Sequence, residues 1–210
     1  MINRDLLKLP DICYFKSRQE KDLIVLHFTA GGSARSSFDW WKKSSNRVST
    51  PYLIDMDGSI YEAYDPENWS YHLGIQKADA NHSNDKRSIG IEICNYGPLK
   101  LKGDTLYSWP KDFTNKYCDL SQNDRYVKTS FRGFDYYAAF TEFQKVATGY
   151  LVDELCTKFG VKSVIAPELK RNQCDVPFFS KWKGICTHAN FRTDKFDMSW
   201  DVVDKAWLGL

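Results

Sequence analysis

The chain has 210 residues, of which 42% are hydrophobic, 15% aromatic and 27% charged. That balance excludes a largely disordered chain, and a chain of this length buries roughly 70% of its unfolded surface without disulfide or metal staples. With 29 basic and 27 acidic residues, net +2, no nucleic-acid partner is expected from charge.

Membrane insertion is not expected either, because apolar runs such as Leu23 to Leu26 are far shorter than the roughly 20 residues of a spanning helix. Arg4, Asp5 and Lys8 interrupt the first segment, so a signal-peptide core is missing and synthesis in the cytoplasm is expected. The six cysteines (Cys13, Cys94, Cys118, Cys156, Cys174 and Cys186) contain no Cys-x-x-Cys pair. Without an export signal they read as free thiols.

In chain order, Asp22 to Phe28 is apolar and β-branched and reads as a central strand. Ser33 caps a helix reaching about Lys43, with Phe38 and Trp41 on one face. Thr50 to Tyr61 reads as two strands around an Asp57-Gly58 turn, and Ser88 to Cys94 as another strand. Residues 98–140 are rich in Tyr, Lys, Asp and Gly and weakly periodic; they read as an insertion with a hairpin on the core domain. Thr141 and Gln144 form a capping box for a helix to Phe159, with Phe143, Ala147, Leu151 and Leu155 at helical spacing and Gly160 as its stop. Lys183 to His188 is a last short strand, and Ser199 caps a terminal helix carrying Val203 and Trp207. The sum is one α/β domain with a central mixed sheet flanked by helices.

Four histidines are present: His27, His72, His82 and His188. His27 and His188 each end a strand. A histidine so placed is either a hydrogen-bonded structural residue or a ligand. With Asp197 the two supply an N,N,O set, and catalytic zinc takes three protein ligands and leaves one position open. Glu92 lies inside an apolar strand. Pointing inward, it would have a raised pKa and serve as a general base; pointing outward, it would be an ordinary solvated carboxylate. Lys195 stands two residues before Asp197, so in an extended segment both share a face. It reads as an oxyanion partner or as a solvated loop lysine.

Five segments, taken together and in order, resemble the type 2 N-acetylmuramoyl-L-alanine amidases of phage endolysins and bacterial cell-wall enzymes, which share a fold with peptidoglycan-recognition proteins. They are Ile24 to Gly31 with His27, Val48 to Gly58, Trp69 to Gly74 with His72, Ser88 to Ile93 with Glu92, and His188 to Asp197 with Lys195. The resemblance implies a single domain over 1–210, with a core of about 20–200 and an insertion of about 98–140. It further implies one Zn2+ held by His27, His188 and Asp197, Glu92 and Lys195 as catalytic residues, and a substrate hydrogen bond from His72. His82 matches no motif. The chain departs from one branch of the family, which has a tyrosine where Thr50 stands; Tyr52, two residues on, is expected on the face of Thr50, with no role assigned. Pro51 replaces a histidine common there, and Asp197 stands where some members have cysteine.

The implied activity is zinc-dependent hydrolysis of the bond between N-acetylmuramic acid and L-alanine. Its substrate is peptidoglycan or a muropeptide, met at the cell wall after release, with the protein a monomer by default. Three alternatives stay open: a non-catalytic muropeptide binder, a wall-contacting domain of a phage tail, and a cytosolic amidase that recycles muropeptides.

Overall fold

A computed structural model describes residues 1–44, 46–108, 113–203 and 205–209. In chain order the elements are β1 (Ile2–Asn3), β2 (Leu23–Phe28), α1 (Ala34–Lys43), β3 (Tyr52–Ile54), β4 (Ile60–Glu62), α2 (Ser83–Arg87) and β5 (Ser88–Ile93). There follow β6 (Pro98–Lys102), β7 (Thr105–Ser108), β8 (Asn115–Asp119), β9 (Tyr126–Phe131), β10 (Phe134–Ala138), α3 (Glu142–Phe159), α4 (Glu168–Arg171), α5 (Val176–Phe179) and β11 (Gly184–Thr187).

Six strands form a mixed sheet in the order β1-β4-β3-β5-β2-β11. Its centre is parallel, with β3, β5, β2 and β11 running together, and β4 turns back against β3 through the Asp57-Gly58 turn. The parallel strands β2 and β5 read as near-continuous apolar runs because both faces are covered. On one face Ile24, Leu26, Ile89, Ile91, Tyr52 and Ile54 pack under Leu151, Val152 and Leu155 of α3. The other face is divided. Leu53 meets Phe38 and Trp41 of α1, while Leu23 and Val25 meet Leu73, Phe179 and Phe191.

The helix α3 begins at the expected capping box, Thr141 Oγ1 accepting from Gln144 N and Gln144 Oε1 from Thr141 N, and ends at Gly160 in the left-handed region. Its buried stripe differs at the start. Phe143 is 71% exposed, and Gln144 is buried instead because its side-chain amide donates to the Cys94 carbonyl at the end of β5. Among the described residues the terminal α-helix expected after Ser199 does not form. Residues 199–203 make turns on the Ser199 carbonyl, and a 3-10 turn spans Lys205–Leu208. Val203 is nonetheless buried and Trp207 packs on the core.

The segment 98–140 is larger in structure than a hairpin. It is a five-stranded antiparallel sheet, β8-β7-β6-β10-β9. Asn95 pins its two ends together, donating from its side chain to the carbonyls of Ala138 and Ala139. Its rings are largely spent on its own packing: Tyr96, Tyr117, Tyr126 and Tyr136 surround a small core of Leu99, Leu106, Cys118 and Ala138, and Phe131 and Tyr137 join the main core. Trp109, also an aromatic of this segment, lies outside the described residues. All six cysteines are free thiols. No helix among the described residues is long and apolar enough to cross a membrane.

Candidate active site

Strand register brings three distant residues to one level. His27 of β2 pairs directly with Glu92 of β5. Thr187 of β11 pairs with Leu26, so the next residue, His188, stands beside His27. These positions lie at the carboxyl ends of parallel strands, where ligand sites of α/β sheets form. A cavity of about 740 Å³ opens over them, lined also by Thr50, His72, Lys195 and Asp197, and walled by Trp40 and Trp41 of α1.

At its floor three acceptor atoms converge. His27 Nδ1 is 3.0 Å from His188 Nδ1, which is 2.9 Å from Asp197 Oδ2; the third edge, His27 Nδ1 to Asp197 Oδ2, is 3.3 Å. All three residues are buried. Tetrahedral zinc with bonds of about 2.0–2.1 Å places its ligands roughly 3.3 Å apart, so the triangle has nearly that size.

The surrounding hydrogen bonds fix which nitrogens carry protons. The Asn84 carbonyl only accepts, so Ser88 Oγ donates to it (2.6 Å) and accepts from His72 Nε2 (2.8 Å). His72 Nδ1 is then the acceptor for His27 Nε2–H (3.0 Å). On the other side His188 Nε2–H donates to the Leu73 carbonyl (3.0 Å). Both Nδ1 atoms therefore turn lone pairs toward Asp197. Such a point calls for a positive charge, and an N,N,O set with its outer nitrogens already bonded is what zinc histidines have. The residues fit a zinc ion.

The electrostatics agree. Burial, then His188, lowers the His27 pKa to about 4, so its ring is neutral and able to ligate at neutral pH. Burial and the neighbouring imidazoles hold His72 far below its ordinary value, as an acceptor Nδ1 requires. Burial alone would raise Asp197, but a positive charge on His188 or His27 outweighs it and holds the carboxyl well below its usual range, so the spot favours a cation. Glu92 is the opposite case. Burial, then Asp197, pushes it up to about 8, with Lys195 pulling the other way. Its Oε2 is sealed from solvent and has no hydrogen-bond partner. Strand alternation thus turns Glu92 into the cavity rather than outward.

All six expected site residues, His27, His72, Glu92, His188, Lys195 and Asp197, line this cavity. The substrate hydrogen bond expected of His72 has no free nitrogen to make it, since His27 and Ser88 occupy both. Tyr52 is not on the face of Thr50. A bend at Pro51 breaks the alternation, leaving Thr50 at the cavity while Tyr52 packs under α3 and donates its hydroxyl to Glu62. Sequence reading missed the supporting shell: Ser88, the Asn84 and Leu73 carbonyls, and Asp85, whose Oδ1 accepts from the backbone N–H groups of His72 and Leu73. Nothing in residue type marks backbone carbonyls in advance, and a serine that opens an apolar strand carries no sign of the histidine it will bond.

The sequence matches the Amidase_2 family, described as N-acetylmuramoyl-L-alanine amidase, over residues 17–195. No curated protein matches it. Among solved structures it is similar to a mutant endolysin from Bacillus subtilis (15% identity, TM-score 0.57) and to the catalytic domain of XlyA (17%, 0.56), in each case over 100% of this chain and 99% of the other. It is also similar to the N-acetylmuramoyl-L-alanine amidase LysC from Clostridium intestinale URNW (10%, 0.52), over 100% of this chain and 95% of the other. At these identities the likeness is one of fold.

Proposed function

The chain belongs to the N-acetylmuramoyl-L-alanine amidase family and so hydrolyses the bond between N-acetylmuramic acid and L-alanine in peptidoglycan; from that premise we propose that it does so with one zinc ion held by His27, His188 and Asp197. The observation that carries the zinc reading is the triangle of two unprotonated Nδ1 atoms and a carboxylate oxygen, sized for zinc. A bound Zn2+ supplies a Lewis acid for the amide carbonyl and an acidified water.

The chain's own residues do the rest. Glu92 takes the proton of the attacking water and returns it to the alanine nitrogen as the amine leaves. A carboxyl poised near neutral pH by burial suits both halves of that transfer. Lys195 faces the same cavity and stabilises the tetrahedral oxyanion. His72 holds the ring of His27, with Ser88 behind it, so that its Nδ1 keeps its direction. Trp40, 58% exposed at the cavity wall, offers a face on which a sugar ring stacks. The protein acts on the cell wall, and we assign it to release from the cytoplasm in the manner of an endolysin.

The test is incubation with intact peptidoglycan, with and without a zinc chelator, reading newly exposed L-alanine amino termini. Release that chelation abolishes and added zinc restores supports the full reading. Release that is indifferent to chelation refutes the zinc site. Activity confined to soluble muropeptides refutes the endolysin assignment in favour of a recycling amidase.

A further inference from the structure

We propose that the inserted five-stranded sheet is a brace for the loop that carries Asp197 and Lys195, with Arg132 as its positioning residue. The inference rests on the amidase reading above only for what the braced loop does. The brace itself stands on geometry.

The loop in question leaves β11 at His188 and runs to Asp197. After the short 3-10 turn His188–Asn190 it has no regular structure, and its two ends are tied by Ala189 N donating to the Asp197 carbonyl, 2.7 Å. A loop of this kind does not by itself hold a ligand to the tolerance that a metal site needs.

The β9–β10 hairpin reaches over it. Phe131 pairs with Phe134, leaving Arg132 and Gly133 as a two-residue turn with φ of +51° and +84°. A turn with both residues in the left-handed region favours Asn-Gly or Asp-Gly. An arginine at the first position strains the backbone there, and no local bond of the Asn or Asp kind offsets it. What offsets it is tertiary. Arg132 Nη1 donates to the Arg192 carbonyl (2.6 Å) and Nη2 to the Ala189 carbonyl (2.8 Å). One rigid planar fork thus spans two carbonyls of the loop. A second contact follows on the same hairpin, where the Phe134 ring meets Phe196 edge to face at 5.3 Å.

The grip points are telling. Ala189 follows His188, and Phe196 lies between Lys195 and Asp197. The guanidinium of Arg192 in turn pairs with Asp194. The hairpin itself is not free to drift. Phe131 and Tyr137 are in the main core, the Tyr137 hydroxyl donates to the Phe131 carbonyl (2.7 Å), and Asn95 fastens the far end of β10 three residues after Glu92. The sheet therefore links the strand that carries Glu92 to the loop that carries Asp197 and Lys195.

The test compares Arg132→Met and Arg132→Lys with Lys128→Ala, an exposed site on β9 that does not touch the loop. Zn2+ affinity is measured by competition with a chromophoric chelator, amide exchange over residues 189–197 by mass spectrometry, and kcat and KM on a soluble muropeptide. Arg132→Met is expected to weaken Zn2+ binding by roughly 10- to 100-fold and to speed exchange in the loop about tenfold or more, with β2 and β5 unchanged. At saturating zinc, kcat falls more than KM rises. Arg132→Lys rescues little, since one ammonium does not span both carbonyls, and Lys128→Ala behaves as wild type.

If Arg132→Met fails to fold, Phe196→Ala removes the other contact from the loop side and carries the same expectations in direction. Wild-type zinc affinity and loop exchange in the folded variants would overturn the brace. The same result with lost binding to intact sacculi would make the insertion a wall-contacting surface instead. Affinity and exchange need no substrate, so they decide the brace even if the proposed chemistry fails, and exchange decides it even if zinc does not bind.

Discussion

Glu92→Gln separates chemistry from stability at this site. Burial and Asp197 move the Glu92 carboxyl from 4.5 to about 8. For an acid raised in the folded state, the native protein keeps a proton that the unfolded chain releases. The cost of ionisation to the fold is therefore absent below about pH 4, grows as pH rises through the unfolded value, and is complete above about pH 8. At about 1.4 kcal/mol per pH unit this comes to about 3 kcal/mol at pH 7. Water at the cavity mouth relieves part of it, leaving about 2 kcal/mol as the expected gain from an uncharged amide of the same shape. For a chain of this length that is a rise in Tm of roughly 4–8 °C. The assay is thermal unfolding of zinc-chelated protein at pH 4, 7 and 8.5, beside amide hydrolysis with zinc restored. The variant should match wild type at pH 4, exceed it at pH 7 and 8.5, and lose about 10²- to 10⁴-fold in kcat. Equal Tm at pH 8.5, or a gain that persists undiminished at pH 4, would refute the desolvation argument. Retained kcat would remove Glu92 from the proton transfer.

Zinc at about 100 times its Kd should stabilise the wild type by about 2.7 kcal/mol; His27→Ala should lose both that gain and hydrolysis, as read by thermal unfolding with and without the ion. Ser88→Ala leaves His72 Nε2 without its acceptor and the Asn84 carbonyl without its donor; it should weaken zinc affinity by about tenfold in a chelator competition and lower Tm through the unpaired buried groups. Gly90→Ala places a methyl 2.7 Å from Thr50 Cγ2 and 3.2 Å from His72 Nδ1; denaturant unfolding should register a loss of about 1–3 kcal/mol, accompanied by weaker zinc binding. Thr141→Ala removes the α3 cap and the bond to the Met56 carbonyl and should cost about 1 kcal/mol without touching kcat.

The elements that sequence made legible carry their signals locally. The capping box of Thr141 and Gln144, the stop at Gly160, the apolar run of β2 and the Asp57-Gly58 turn each involve neighbours in the chain, and each stands where its residues imply. The misreadings share a different origin. Phe143 keeps the helical period yet faces solvent, because a carbonyl at the end of β5 recruits Gln144 beneath the helix. Tyr52 keeps the strand period counted from Thr50, but the bend at Pro51 breaks the count. The weak periodicity of residues 98–140 concealed five strands because that sheet covers a small core of four buried side chains and leaves much of its surface wet.

By itself the sequence determined the inventory: an α/β chain, a strand ending in His27, an apolar strand containing Glu92, and a His188-to-Asp197 segment, all recognisable as amidase motifs. It did not determine that His72 turns both nitrogens to protein, that Glu92 faces inward, or that an arginine on a distant hairpin holds the loop of Asp197. Those are decided by register between parallel strands and by hydrogen bonds to backbone carbonyls. Both arise between residues far apart in the chain, and carbonyls are the same in every residue, so no residue type announces them.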